Sequence, residues 1–109
     1  MPFAGAVVFT VVDQFKRTIR LTARQQGHIC SRQEMRKQED RIRETIALPD
    51  VVKVSQHDAE VLCYYRWYDT TPVASKYLLC IVKVLHHEGF IITAFYTDKV
   101  KGGPVLWEK

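Results

Sequence analysis

The 109-residue chain predicts an α+β fold: an N-terminal hairpin and two helices packed on a twisted antiparallel sheet of about four strands. Two observations predict it. Apolar residues recur at helical spacing up to Pro49, and after Asp50 the period changes to two, with β-branched and aromatic residues throughout. Helices first and strands afterwards pack as one layer on one sheet face. At roughly 100 to 200 residues per domain, residues 1–109 make a single domain. The hydrophobic fraction of 47% and the charged fraction of 26% are those of an ordinary globular chain.

Taken in order, Met1 to Val12 is apolar but lacks the basic start and small-residue cleavage site of a secretory signal. It reads as a strand from Ala6 to Val12, turning through Asp13-Gln14-Phe15-Lys16 into a second strand, Arg17 to Thr22. Thr22 is placed to cap a short helix through Cys30, since its hydroxyl accepts from an amide of the first turn. Gly27 inside that helix costs about 1 kcal/mol relative to Ala. From Glu34 to Leu48, Met35, Ile42 and Ile46 form one apolar stripe, which Pro49 stops. On this helix Arg36–Asp40 and Glu39–Arg43 are four apart, spacing for a salt-bridged solvent face. Val51 to Ser55, Glu60 to Tyr68, Lys76 to Leu85 and Phe90 to Thr97 then read as consecutive antiparallel strands. His86 to Gly89 connects the last two, and Val105-Leu106-Trp107 forms an edge strand after Gly102-Gly103-Pro104.

The net charge of +4 is unevenly placed. Between Gln14 and Leu48 there are nine basic residues and four acidic ones, a balance of +5, so the helical half is the one to attract a polyanion. No run reaches the ~20 apolar residues that cross a bilayer, so no membrane partner is expected. Cys30, Cys63 and Cys80 are odd in number and set among hydrophobes, which points to free buried thiols and a cytoplasmic setting. Hydrolase-elbow, phosphate-loop and dinucleotide-turn motifs are absent, and no residues stand at zinc-site spacing, so no metal and no cofactor is expected.

Alternation sorts the strand residues into faces. Leu62, Tyr64, Arg66 and Tyr68 share one face of their strand, and an arginine between tyrosines suits a phosphate flanked by stacked bases. It equally suits an open solvent face. Lys83 follows Tyr77, Leu79 and Ile81 where a fourth hydrophobe is expected, and Thr93 shares a face with Ile91, Phe95 and Thr97. Whether Arg66, Lys83 and Thr93 meet depends on register, which shifts by a whole face per residue. Among the histidines, His28 is the candidate for chemistry, because a helix on the sheet can hold an imidazole over it.

The ordered set His28-Ile29, Arg41-Ile42-Arg43-Glu44-Thr45-Ile46 with Pro49-Asp50-Val51, Tyr64-Tyr65-Arg66, Val82-Lys83, Ile91-Ile92-Thr93-Ala94-Phe95-Tyr96 and Lys101-Gly102 with Leu106-Trp107 resembles the barnase, EndoU, colicin and RelE-like (BECR-fold) nuclease superfamily. It is most similar to the small phage-associated and bacterial branch. The resemblance runs from about Arg20 to Trp107 and departs from the pattern at Gly27 and Phe95, where bulky aromatic and tyrosine residues are usual. It implies metal-independent RNA cleavage. His28 would be the base, Arg66 and Lys83 would stabilise the phosphate, and Thr93 would add a hydroxyl in the same cleft. RNA contacts would come from Tyr64, Tyr96, Arg32, Arg36, Arg43, Lys99 and Lys101. A free-standing nuclease of this kind implies a toxin restrained by an acidic antitoxin protein, acting as a monomer or weak homodimer. The alternative is a non-catalytic nucleic-acid- or protein-binding module on the same fold.

Overall fold

A computed structural model describes residues 6–109; the part of the opening apolar segment before Ala6 lies outside the described residues. The elements are β1 (Val7–Val12), β2 (Thr18–Thr22), α1 (Ala23–Ile29), a single 3₁₀ turn (Gln33–Met35), α2 (Glu39–Ala47), β3 (Val51–Val54), β4 (Val61–Tyr68), β5 (Lys76–Leu85), β6 (Glu88–Thr97) and β7 (Val105–Glu108). The α+β class is as expected, but the sheet has seven strands rather than about four, in the order β1-β2-β6-β5-β4-β3-β7. Nor is it wholly antiparallel. The hairpin β1–β2 joins the main sheet as its edge, with β2 running parallel to β6 over Thr18–Arg20 and Glu88–Phe90. Among the described residues no helix is long and apolar enough to cross a membrane.

The hairpin turn is locked by one carboxylate. Asp13 Oδ1 accepts from the amides of Phe15 at 3.0 Å and Arg17 at 2.9 Å, while Tyr64 Oη of β4 donates to Oδ2 at 2.5 Å. Burial and the nearby Asp13 carboxylate push the Tyr64 hydroxyl above its ordinary range, so it stays a donor. Thr22 caps α1 as expected, its Oγ1 accepting from Gln25 N at 3.3 Å.

The helix expected from Glu34 to Leu48 is broken. Arg36 is extended and Lys37 takes φ 61°, a left-handed conformation that no α-helix continues through. Met35 and Ile42 nevertheless both reach the core with essentially no exposure, because the stripe specified burial and not helical continuity. The break also separates Arg36 from Asp40. No Arg36–Asp40 or Glu39–Arg43 ion pair forms among the described residues; Arg43 instead lies over the Phe9 ring at 4.8 Å.

The main core lies between the helices and one sheet face, where Ile29, Met35, Ile42 and Ile46 meet Leu62, Tyr64, Leu78, Cys80, Val82, Ile91 and Ala94. Each large apolar side chain buried there stabilises the fold by about 1.5–3 kcal/mol. The turn between β5 and β6 is tighter than the predicted His86–Gly89, with Leu85 paired to Glu88. Gly89 is a strand residue, and a Cβ there would stand 2.6 Å from the Lys83 carbonyl oxygen. It is glycine because two backbones approach. The segment 105–108 pairs with β3 as the predicted edge strand.

Two outcomes test this account. Gly27 is exposed with open space around its Cβ position, so Gly27→Ala is expected to gain about 0.5–1 kcal/mol, measured as a raised urea midpoint at unchanged slope. Tyr64→Phe leaves Asp13 Oδ2 buried without its hydroxyl partner and is expected to lose about 1–3 kcal/mol in the same assay.

Candidate functional site

The helix layer leaves the other sheet face without a helix, open except where Val51, Tyr65 and Leu79 are buried with Val100 packed against them. That face carries Cys63, Tyr65 and Trp67 of β4 and Tyr77, Leu79, Ile81 and Lys83 of β5, matched by register to Thr93, Phe95 and Thr97 of β6. A bulge sorts the last strand. Ile81 pairs with Thr93 but Val82 pairs with Ile91, so Ile92 is the extra residue and alternation breaks there. Ile91 therefore faces the helices, not the side shared by Thr93 and Phe95, which corrects the single face expected for the strand.

Lys83 and Thr93 thus share the open face, and Arg66 lies on the opposite one. Two of the three strand candidates share a face; the third does not. Arg66 reaches the C-terminal end of α2, where Nη1 donates to the Leu48 carbonyl at 2.5 Å. Its Nε is 3.4 Å from Glu44 Oε1, near enough for charge attraction but not aligned as a hydrogen bond. Tyr64 is fully buried and offers no ring face to a base. Tyr68 Oη donates to Glu44 Oε1 at 2.6 Å, and Tyr96 Oη donates to Gln38 Oε1 under the helices. On this face Tyr64 is buried under the helix layer, while the half-buried Arg66 and Tyr68 tie β4 to α2.

Arg32 comes to the open face from its side. Because β2 covers β6 only through Phe90, the outer edge of β6 beyond that point is left to α1, which packs against it. The chain leaving α1 lays the Arg32 guanidinium over the Phe95 ring at 5.0 Å, two residues along the same face from Thr93. His28 is exposed in the last turn of α1. Ser31 Oγ donates to the His28 carbonyl at 2.6 Å and fixes that turn.

Lys83 is held by two carboxylates, Asp58 Oδ2 at 2.8 Å and Glu60 Oε1 at 3.2 Å. These bonds keep Asp58 below the usual carboxylate range and raise Lys83 above the usual lysine range. At the far rim, Val100 packs on the apolar cluster of Val51, Tyr65 and Leu79, with the exposed Lys99 and Lys101 on either side of it. Lys53 Nζ donates to the Lys101 carbonyl at 2.6 Å. Arg36 and Arg43 belong to the helix layer, Arg36 Nε donating to the Cys30 carbonyl at 3.5 Å.

The alternation also carried a second aromatic set on the other face of β4, to which the arginine between tyrosines did not draw attention. There Trp67 and the buried Tyr65 lie 5.0 Å and 6.3 Å from the Tyr77 ring, both edge-on.

No family model, curated protein or solved structure matches the chain.

The clamp on Lys83 has a pH signature. Asp58 is lowered, so its contribution to stability is present above its unfolded value and is lost as pH falls through its lower folded value. In an NMR titration the Asp58 carboxyl is expected to have its midpoint below the ordinary carboxylate range in the wild type and to return toward it in Lys83→Met. An unchanged midpoint would remove the ion pair as the cause.

Proposed function

We propose that the chain is a metal-independent endoribonuclease that works on the open sheet face beside α1. The reading is supported chiefly by Arg32, which the chain after α1 carries onto Phe95 on the face shared by Thr93 and Lys83. A second support is the charge. Arg24, Arg32, Arg36, Lys37 and Arg43 are exposed and have no carboxylate partner among the described residues, whereas Arg66, Lys76, Lys83 and Lys109 are each close to one. Unpaired surface cations are the ones free to release counterions from a phosphate backbone.

In this reading His28 takes the proton of a ribose 2′-hydroxyl, and the 2′-oxygen attacks the adjacent phosphorus as the P–O5′ bond breaks. The leaving 5′-oxygen takes a proton from solvent, which the open face admits. Arg32, rather than Arg66, stabilises the charge that grows on the phosphate oxygens. Thr93 donates a hydrogen bond, and Lys83, neutralised by Asp58 and Glu60, fixes the wall of the cleft. DNA, lacking the 2′-hydroxyl, is not cut by this route. An acidic protein that covers the unpaired cations would inhibit it, which is the antitoxin relation. A binding module without catalysis is the second reading, favoured by the neutralised Lys83 and the structural use of Arg66.

Incubation with structured RNA in EDTA separates the two. Cleavage leaving 2′,3′-cyclic phosphate ends is expected, lowered about 10²–10⁴-fold in His28→Ala and about 10²–10³-fold in Arg32→Ala. RNA that is bound but left intact by the wild type would establish the binding module instead. Neither binding nor cleavage would end both readings.

A further inference from the structure

A cleft of about 310 Å³ lies on the helix side of the sheet, away from the open face. Gln14 of the hairpin turn, Leu48 and Pro49 after α2, Arg66 of β4, and Trp107 and Lys109 at the C-terminal edge line it. Its size is at the small end of the range for small-molecule sites, and such sites combine apolar walls with a few polar groups. Here the walls are an indole, a proline and a leucine.

The polar groups are unusual. Both amide atoms of Gln14, Nε2 and Oε1, are buried with no hydrogen-bond partner among the described residues, and so is Arg66 Nε. Buried polar atoms are normally paired, and each one that is not costs about 1–3 kcal/mol. Gln14 cannot relieve this by moving its backbone, because Asp13 fixes the turn through the amides of Phe15 and Arg17. Its side chain already lines the cleft. Binding in the cleft requires the amide, now shielded from solvent, to rotate about its terminal bonds into that space.

The charges of the cleft are largely balanced, Arg66 by Glu44 at 3.4 Å and Lys109 by Asp50 at 3.9 Å. What is left is a primary amide offering a donor and an acceptor side by side, next to an aromatic wall. That combination pairs with the edge of a planar heterocycle carrying an adjacent acceptor and donor, while the indole stacks on its face. We propose that this cleft binds a nucleobase, held by the Gln14 amide and stacked on Trp107. The base belongs either to a free nucleotide or to an RNA strand, and the site stands independently of cleavage at the open face.

The test is ¹⁵N NMR of the full chain, following the Gln14 side-chain amide and the two indole N–H signals. Trp67, on the open face with its N–H bonded to Asp69 Oδ1 at 2.8 Å, is the internal reference. Adenosine 5′-monophosphate is expected to move Gln14 and Trp107 and leave Trp67 in place. Ribose 5-phosphate, which lacks the base, is expected to move neither. Gln14→Met should remove the response and weaken nucleotide binding at least about fivefold, the low end for one bidentate base contact. The same variant should raise the thermal midpoint of the free protein, because it removes a buried unpaired amide, so loss of binding is not loss of folding. A ten-nucleotide oligo(A) that moves Gln14 and Trp107 more strongly than the mononucleotide identifies the strand as the source of the base; an equal or weaker effect identifies the free nucleotide. Equal shifts with ribose 5-phosphate, or a silent Gln14 and Trp107 with both base-bearing ligands, would overturn the site whatever happens at Trp67. Movement of Trp67 with RNA alone reports on the open face and bears only on the nuclease reading.

Discussion

The arrangement depends on the buried carboxylate of Asp13. It accepts from two amides of its own turn and from the hydroxyl of Tyr64, four strands away in the sheet. A buried carboxylate without such partners is costly, and one with three is a rigid joint. It holds the β1–β2 hairpin over the helix face of β4 and therefore determines where β2 runs. β2 then pairs with β6 for only three residues, and α1 starts at once from the Thr22 cap. The short pairing leaves the rest of the β6 edge for α1, and the chain leaving α1 at that edge carries Arg32 onto Phe95. A hairpin displaced by one residue would alter the start of α1 and carry Arg32 elsewhere.

The second constraint is the use of charge. The cations on β4 and β5 are consumed where they stand, Arg66 by the end of α2 and Lys83 by Asp58 and Glu60. The arginines of the helical segment are treated differently, and several lie over rings: Arg32 on Phe95, Arg41 on Tyr68 and Arg43 on Phe9. A guanidinium lying on an aromatic face is oriented without being neutralised. Arg41 Nη1 is engaged by the Thr70 carbonyl at 2.6 Å, whereas Arg32 and Arg43 have no carboxylate partner among the described residues. The sum of +4 conceals this division between spent and available charge.

Much of the fold was legible because local chemistry announces local structure. Thr22, Pro49, the turn at Asp13 and the change of period after Asp50 each mark an element that forms. What was not legible was set by pairing. Nothing near Thr18–Arg20 announces a parallel partner seventy residues on, and nothing in Ile91-Ile92-Thr93 announces the bulge that reverses the face of Ile91. Met35, Ile42 and Ile46 had the spacing of one helix, yet the core required only that they be buried, so the break at Lys37 left no trace in the pattern. The candidate site residues divide in the same way. Arg66 and Lys83 look alike in the sequence as lone cations on apolar strands, and only register separates the one under the helices from the one on the open face.

Asp13 and Gln14 are neighbours in one turn and illustrate opposite states of a buried polar group. Asp13 is fully paired, and its bonds make the turn stiff. Gln14 is half-buried, with both amide atoms shielded from solvent and neither paired among the described residues, and that same stiffness holds its backbone in place. In a mobile loop an unpaired amide is free to relax and says little. At a rigid turn, beside an indole and an open cleft, the unmet donor and acceptor have only the cleft to turn into. The energetic cost of Gln14 in the free protein is therefore intelligible as preorganisation, in which the turn stores an unsatisfied pair of contacts that a planar heterocycle would complete.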